Sequence, residues 1–275
     1  MTPERFAQLT TGADAEIPLA RAAVAIGRIG TPDVGEVHPL AQLDALARRV
    51  RGGSGDSLNP EAVARRIGTV LFDEDGFAGD TEDYYDPLNS CLPAVLERKR
   101  GMPILISLVF MEVGRRSGLA VDGVGAPGHF LVKFRDGVHD RYLDPFNAGQ
   151  EVPGDALRSQ IRAVLGDGVS TDAYLEPVTK RQILGRILAN LKGSYLRRGD
   201  PRGALRAVEY QLAMTPWALD EVKDRGILLA QLGRHAEALA ALREYREHAP
   251  AGTDMTQLDQ ILRRLTHRQE HADDN

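Results

Sequence analysis

Residues 128–145 read Gly128-His129-Phe130-Leu131-Val132-Lys133-Phe134-Arg135-Asp136-Gly137-Val138-His139-Asp140-Arg141-Tyr142-Leu143-Asp144-Pro145. Two strand-like runs flank Asp136-Gly137, a dipeptide whose backbone preferences favour tight hairpin turns. A two-residue turn at Asp136-Gly137 pairs Arg135 with Val138. Counting outward from that pair places His129 opposite Asp144. Cross-strand partners have Cβ atoms about 4.5–5.5 Å apart, and a carboxylate at that distance orients an imidazole and stabilises its charged form. A base and its orienting acid are two parts of a hydrolase triad. Strand alternation puts Phe130, Val132 and Phe134 on a core face. It puts His129, Leu131, Lys133 and Arg135, together with Asp144, on a more polar and accessible face.

Outward from the hairpin, the N-terminal half reads as helical over residues 17–118. His38-Pro39 opens a helix with Leu43, Leu46 and Val50 on one face. Asn59-Pro60 is an N-cap followed by proline at N1, with Val63, Ile67, Val70 and Leu71 at helical spacing. Pro87-Leu88-Asn89 starts another, with Asn89 as a cap and Leu92, Val95 and Leu96 apolar. Gly101-Met102-Pro103 opens the next helix, and Gly118 suits the position just after its end. That helix is apolar nearly all round, which predicts a central, buried place. Leu119 to Val124 reads as a strand. Residues 151–177, punctuated by Gly154, Gly166, Gly168 and Pro177, read as a loop-rich connector.

From about residue 178 the sequence repeats with a 34-residue period. Gly199 matches Gly233, Ala204-Leu205 matches Ala238-Leu239, and Pro216 matches Pro250. Small residues at these offsets let paired helices approach closely, and the proline ends each pair. The period resembles that of the tetratricopeptide repeat. Tyr195 and Gly226 fit the pattern, whereas Gln211 and Arg225 depart from it. Leu258, Ile261, Leu262 and Leu265 read as a capping helix. The expected organisation is residues 1–150 as an α+β domain, 151–177 as connector and 178–268 as an all-α repeat tail.

Four blocks then carry a family resemblance: residues 84–90 (Tyr84-Tyr85-Asp86-Pro87-Leu88-Asn89-Ser90), 95–104 (with Gly101-Met102-Pro103), 125–130 (Gly125-Ala126-Pro127-Gly128-His129-Phe130) and 143–149 (Leu143-Asp144-Pro145-Phe146-Asn147-Ala148-Gly149). In this order and spacing they resemble the bacterial SirB-type transglutaminase-like family, whose members also carry C-terminal tetratricopeptide repeats. The resemblance implies a papain/transglutaminase-like core, with helices packed on a small antiparallel sheet. It also implies a thiolate from a Gly-x-Cys at the start of the central helix, a strand histidine as base and an Asp-Pro aspartate as its orienter. Carried over, His129 takes the base position and Asp144 the orienting one. Pro103 falls where the nucleophile belongs, and proline has no reactive side chain.

Two other residues could supply a nucleophile. Ser107 lies one helical turn after Pro103 on the same face, though packing among helices accounts for it more simply. Cys91, the single cysteine, falls on a different helix and reads as a small buried hydrophobe. With only one cysteine, an internal disulfide and a cysteine-rich zinc site are excluded. Asn89, Ser107, Gly128 and Asn147 are carried as binding-site candidates, with a cap reading beside Asn89 and a turn reading beside Asn147.

Other signals lead elsewhere. His267-Arg268-Gln269-Glu270-His271 spells a zinc pattern without an evident third ligand. In the acidic stretch from Asp73 to Asp86 the central glycine of a calcium loop is displaced and tyrosine stands at the twelfth position. Gly123 to Gly128 precedes a strand and lacks Lys-Ser/Thr, so it is no phosphate loop. The expectation is no metal and no cofactor.

A net charge of −5 gives no reason for nucleic-acid binding. No apolar run approaches membrane-spanning length, and the first residues lack signal-peptide character, so the expected location is the cytoplasm. The function that follows is a catalytically degenerate module for a protein or peptide partner. The alternative is a hydrolase or acyltransferase in which the His129–Asp144 pair activates water or Ser107. The family name points to a third, indirect role in gene regulation.

Overall fold

The computed structural model describes residues 2–53, 59–127, 129–166 and 168–273, with residues 268–273 described by their backbone. In chain order the helices are α1 (Pro3–Thr10), α2 (Leu19–Gly27), α3 (Val37–Gly53), α4 (Pro60–Gly68), α5 (Leu92–Arg98), α6 (Pro103–Arg116), α7 (Gly154–Leu165), α8 (Lys180–Arg197), α9 (Pro201–Met214), α10 (Leu219–Gln231), α11 (His235–His248) and α12 (Thr256–Asp273). The strands are β1 (Ala78–Gly79), β2 (Arg100–Gly101), β3 (Val121–Val124), β4 (Leu131–Arg135), β5 (Asp140–Asp144) and β6 (Gln150–Glu151). Gly12–Ile187 form one compact unit. Met1–Thr11 and Leu188–Asn275 form the other.

In the first unit, α6 is the organising element. Every residue from Ile104 to Gly114 is buried. Helices α3, α4 and α5 pack against it, as do β3 and β4. Burying a Leu, Ile or Phe side chain contributes about 1.5–3 kcal/mol, so an all-round apolar helix of this length has to lie at the centre. Gly114 lets Val121 approach, because a Cβ there would come within 2.9 Å of Val121 Cγ1.

The antiparallel sheet has the order β3-β4-β5-β6. Its face away from α6 is covered too. Leu131 and Tyr142 pack with Leu157 and Ile161 of α7 and with Leu175. This corrects two expectations. The stretch read as a loop-rich connector holds a twelve-residue helix, its apolar residues Leu157 and Ile161 spaced at four. The face expected to be polar and accessible is buried at Leu131 and Tyr142 because α7 lies on it.

The hairpin register also differs from the expected one. Observed pairs are Arg135↔Asp140, Lys133↔Tyr142 and Val132↔Leu143, so the central turn residues are Gly137-Val138 rather than Asp136-Gly137. Gly137 has φ +114, which suits the first central position of a hairpin turn. The Asp136 carboxylate fixes this choice by accepting the N–H of Val138 and of His139, both at 2.9 Å. Each pairing sum rises by two. Faces are preserved, but Leu131, not His129, lies opposite Asp144.

In the second unit α9 packs on α10, α10 on α11 and α11 on α12. Gly199 (φ +67) and Gly233 (φ +76) occupy equivalent turns before α9 and α11, as the repeat requires. Gly203 lies under the Tyr195 ring and Gly226 under Leu242. Helix α1, which the sequence reading did not single out, packs on α9, with Phe6 buried and its ring 5.1 Å from that of Tyr210.

Candidate functional site

The site grows from the two ends of the β4–β5 hairpin arms. The chain turns between Ala126 and His129, whose N–H donates to the Ala126 carbonyl at 3.1 Å. Gly128, between them, lies outside the described residues. His129 thus precedes β4 by two residues instead of sitting within it. Its side chain is 51% exposed, and Nδ1 stands 3.6 Å from Asp144 Oδ2. That distance is within ion-pair range and longer than a normal hydrogen bond, so the expected hydrogen bond is replaced by a longer diagonal contact. The observed register explains it, because diagonal neighbours are within reach of long side chains only.

Asp144 is buried and held from several sides. The sequence Asp144-Pro145 makes it the cap of a 3-10 turn, Pro145–Asn147, with proline at its first position. Its Oδ1 accepts the Phe146 N–H at 3.1 Å, and Oδ2 accepts Asn147 Nδ2 at 2.8 Å. Asn147, whose simpler reading was a turn, is therefore also the group that orients the Asp144 carboxylate. Gly149 closes the turn by donating its N–H to the Asp144 carbonyl at 2.8 Å.

The start of α6 reaches the same region. Pro103 is the first residue of α6 and is half-buried, with Met102 as cap. One turn further, Ser107 is fully buried and its hydroxyl donates to the Phe130 carbonyl at 2.8 Å. This bond joins α6 to the residue that follows His129. It also occupies the hydroxyl proton that an activated nucleophile would have to give up to a base.

Asn89 is not a helix cap. It lies fully buried in a 3-10 turn, Pro87–Ser90, with Nδ2 donating to the Asp83 carbonyl at 2.8 Å and Oδ1 without a hydrogen-bond partner among the described residues. Its own carbonyl accepts the Met102 N–H at 2.9 Å, so Asn89 positions the approach to Pro103. Cys91 is fully buried as the cap of α5, its thiol donating to the Pro87 carbonyl at 3.4 Å.

Aromatic side chains that the sequence reading did not separate from the motif blocks line the same side. Phe146 lies on Gly79 and meets Tyr84 edge-to-face at 6.3 Å. The cavity between α4 and the sheet, about 300 Å³, is a separate space lined by residues such as Phe72, Phe134 and Gly149.

The acidic residues before α5 find partners within the protein. Asp80 accepts the N–H groups of Asp83 and Glu82, which hold its carboxyl below the usual range, and it faces Arg98. Asp86 pairs with Arg98 at 2.7 Å. Among the described residues no group of three or more His, Cys, Asp and Glu is arranged to hold a metal ion. The side chains of Glu270 and His271, part of the C-terminal zinc pattern, lie outside the described residues.

A helix-buttressed sheet with a His–Asp pair beside the start of a buried central helix is the architecture of a transglutaminase-like protein, and the chain belongs to the transglutaminase-like superfamily. The family model of that superfamily matches residues 38–189, and one for the tetratricopeptide repeat matches residues 191–263. The SirB-type resemblance holds along the chain. A UPF0162 protein of Xylella fastidiosa is 34% identical over 250 residues, covering 88% of each chain. A UPF0162 protein of Pseudomonas aeruginosa is 30% identical over 217 residues, covering 78% of each. F-box only protein 21 of Mus musculus is 30% identical over 165 residues, which are 56% of this chain and 26% of that protein. A transglutaminase-like domain joined to tetratricopeptide repeats has the make-up of a protein-interaction module. Among the described residues no helix is long and apolar enough to cross a membrane.

Proposed function

We propose that this chain is a peptide- or protein-binding module whose transglutaminase-like domain has lost its nucleophile. The observation that carries the reading is Pro103 at the first position of α6, where the family resemblance calls for the reactive cysteine. A thiolate mechanism needs its sulfur within hydrogen-bond reach of the base that takes its proton. The single cysteine is buried as the cap of α5 and its thiol faces the Pro87 carbonyl. His129 and Asp144 remain as polar groups for recognition, with His129 half-exposed and Asp144 fixed by Asn147.

The test is a combined activity and binding screen on glutamine-containing and generic peptides, using wild type, Cys91→Ala and His129→Ala. The expected result is no turnover in any of them, with peptide binding weakened by His129→Ala. Turnover abolished in both variants would overturn the reading, since Cys91 would then be reaching His129. Turnover abolished in His129→Ala alone would also overturn it, in favour of a hydrolase or acyltransferase in which the His129–Asp144 pair activates water or Ser107.

A further inference from the structure

Arg186 lies on α8 within the unit formed by Gly12–Ile187. Its guanidinium carbon stands 5.2 Å from the centre of the Phe130 ring. The same group fills the space above Gly125, where any Cβ would overlap Nη1, and Val178 walls the other side. Val124 pairs with Leu131, and the next residues inward, Gly125 and Phe130, lead into the turn that carries His129. The guanidinium thus lies over the ring of the residue adjacent to His129.

Among the described residues Arg186 has no carboxylate partner. Burial alone acts on its pKa, pushing it down, with no opposing acid. Lys133, Arg141 and Lys192, also half-buried, are each paired with an acid: Lys133 with Asp140, Arg141 with Asp136 and Glu151, and Lys192 with Glu221 and Asp224. A guanidinium stays charged at every physiological pH and is costly to desolvate without an acceptor. The Phe130 face attracts the cation, but it leaves the planar N–H fork unfilled. That fork matches a carboxylate in two parallel hydrogen bonds.

We propose that Arg186 is the carboxylate-binding residue of the His129 region, taking an acidic group of a bound peptide while Phe130 holds the guanidinium plane. Gly125 is glycine so that the guanidinium can lie there. The inference rests on the peptide-binding reading above and adds the class of ligand: a peptide with a carboxylate, from a Glu or Asp side chain or from a chain end.

The experiment uses the full chain and fluorescent peptide pools that share one neutral random core. One pool ends in an amide, one in a free carboxylate, and one is amidated with a single internal Glu. Wild type should prefer at least one carboxylate pool over the neutral pool by about tenfold, and the preferred pool identifies the source of the carboxylate. Arg186→Gln should abolish the preference and Arg186→Lys should reduce it. His129→Ala should weaken all pools alike and leave the ratio intact.

Equal affinity for the three pools in wild type, or a preference that survives Arg186→Gln, would overturn the assignment while leaving the peptide reading standing. If Arg186→Gln does not fold, Arg186→Lys decides: an unchanged ratio overturns the role of the fork. If no pool binds, the peptide reading fails. The anion site is then judged by whether acetate raises the melting temperature over chloride at matched ionic strength in wild type but not in Arg186→Lys. No such difference overturns the site as well.

Discussion

The Ser107 hydroxyl of α6 donates to the carbonyl of Phe130, the residue before β4, at 2.8 Å and fully buried. This one bond sets the start of the central helix against the residue that follows His129. It gives Ser107 a structural role that its position one turn from Pro103 does not reveal.

Ser107→Ala should therefore destabilise the fold by about 1–3 kcal/mol, because the buried Phe130 carbonyl loses its donor. Urea unfolding of wild type and variant measures this directly. A serine-reactive fluorophosphonate should leave Ser107 unlabelled. Stoichiometric labelling that disappears in the variant would make Ser107 a nucleophile and remove this structural account.

The His129–Asp144 pair should separate into a group needed for the fold and one that is not. Asp144 is buried and accepts from Phe146 and Asn147, so Asp144→Ala should lose about 1–3 kcal/mol. His129 is half-exposed, and His129→Ala should change stability by less than about 0.5 kcal/mol. Equal losses in the two variants would mean that the contact at 3.6 Å stabilises the fold far more than a half-exposed polar contact of that length can.

Much of this architecture was legible before any coordinates. The all-apolar run after Pro103 could only be a buried central helix, and matched glycines thirty-four residues apart gave the helical repeat. That His129 and Asp144 come close was legible through parity, since a register error of two leaves faces unchanged. Which residue faces Asp144 was not legible, because Asp-Gly satisfies more than one turn and the Asp136 side chain made the choice. Helix α7 was masked by its flanking glycines and prolines. Arg186 left no local signal at all. Its relation to Phe130 spans more than fifty residues of chain, and a lone arginine on a helix looks like any solvated cation.

Asp136 gives the hairpin an acid-sensitive latch. Its carboxyl sits at about 2 instead of 3.8, held first by the His139 N–H, then by Val138 N–H and by Arg141. A carboxylate with a depressed folded-state pKa contributes stability that is complete above its unfolded value. That contribution should fade as pH falls from about 3.8 toward about 2. Asp136→Asn removes the titration, so the stability gap between wild type and variant should narrow over that window. Carbon NMR of the Asp136 carboxyl is the sharper measurement, and a midpoint near the ordinary value would refute the latch.

The repeat tail makes a prediction about two kinds of glycine. At Gly226 a Cβ would fall 2.5 Å from Leu242 Cδ2 and 3.3 Å from the Leu242 backbone nitrogen, and at Gly203 it would strike the Tyr195 ring. Space is the limit at both. Gly226→Ala and Gly203→Ala should each destabilise by about 1–3 kcal/mol through overpacking. At Gly199 and Gly233 nothing lies within 4 Å of an added Cβ, but φ is +67 and +76. There the limit is backbone conformation, and alanine should lose about 1–2 kcal/mol. Asparagine separates the classes, because it tolerates left-handed backbone yet is bulkier than alanine. Gly199→Asn and Gly233→Asn should be milder than their alanine counterparts, whereas Gly203→Asn and Gly226→Asn should be worse. Thermal unfolding of the eight single variants reads the pattern. The same ranking at all four positions would mean that the two glycine pairs do not play distinct parts in the repeat.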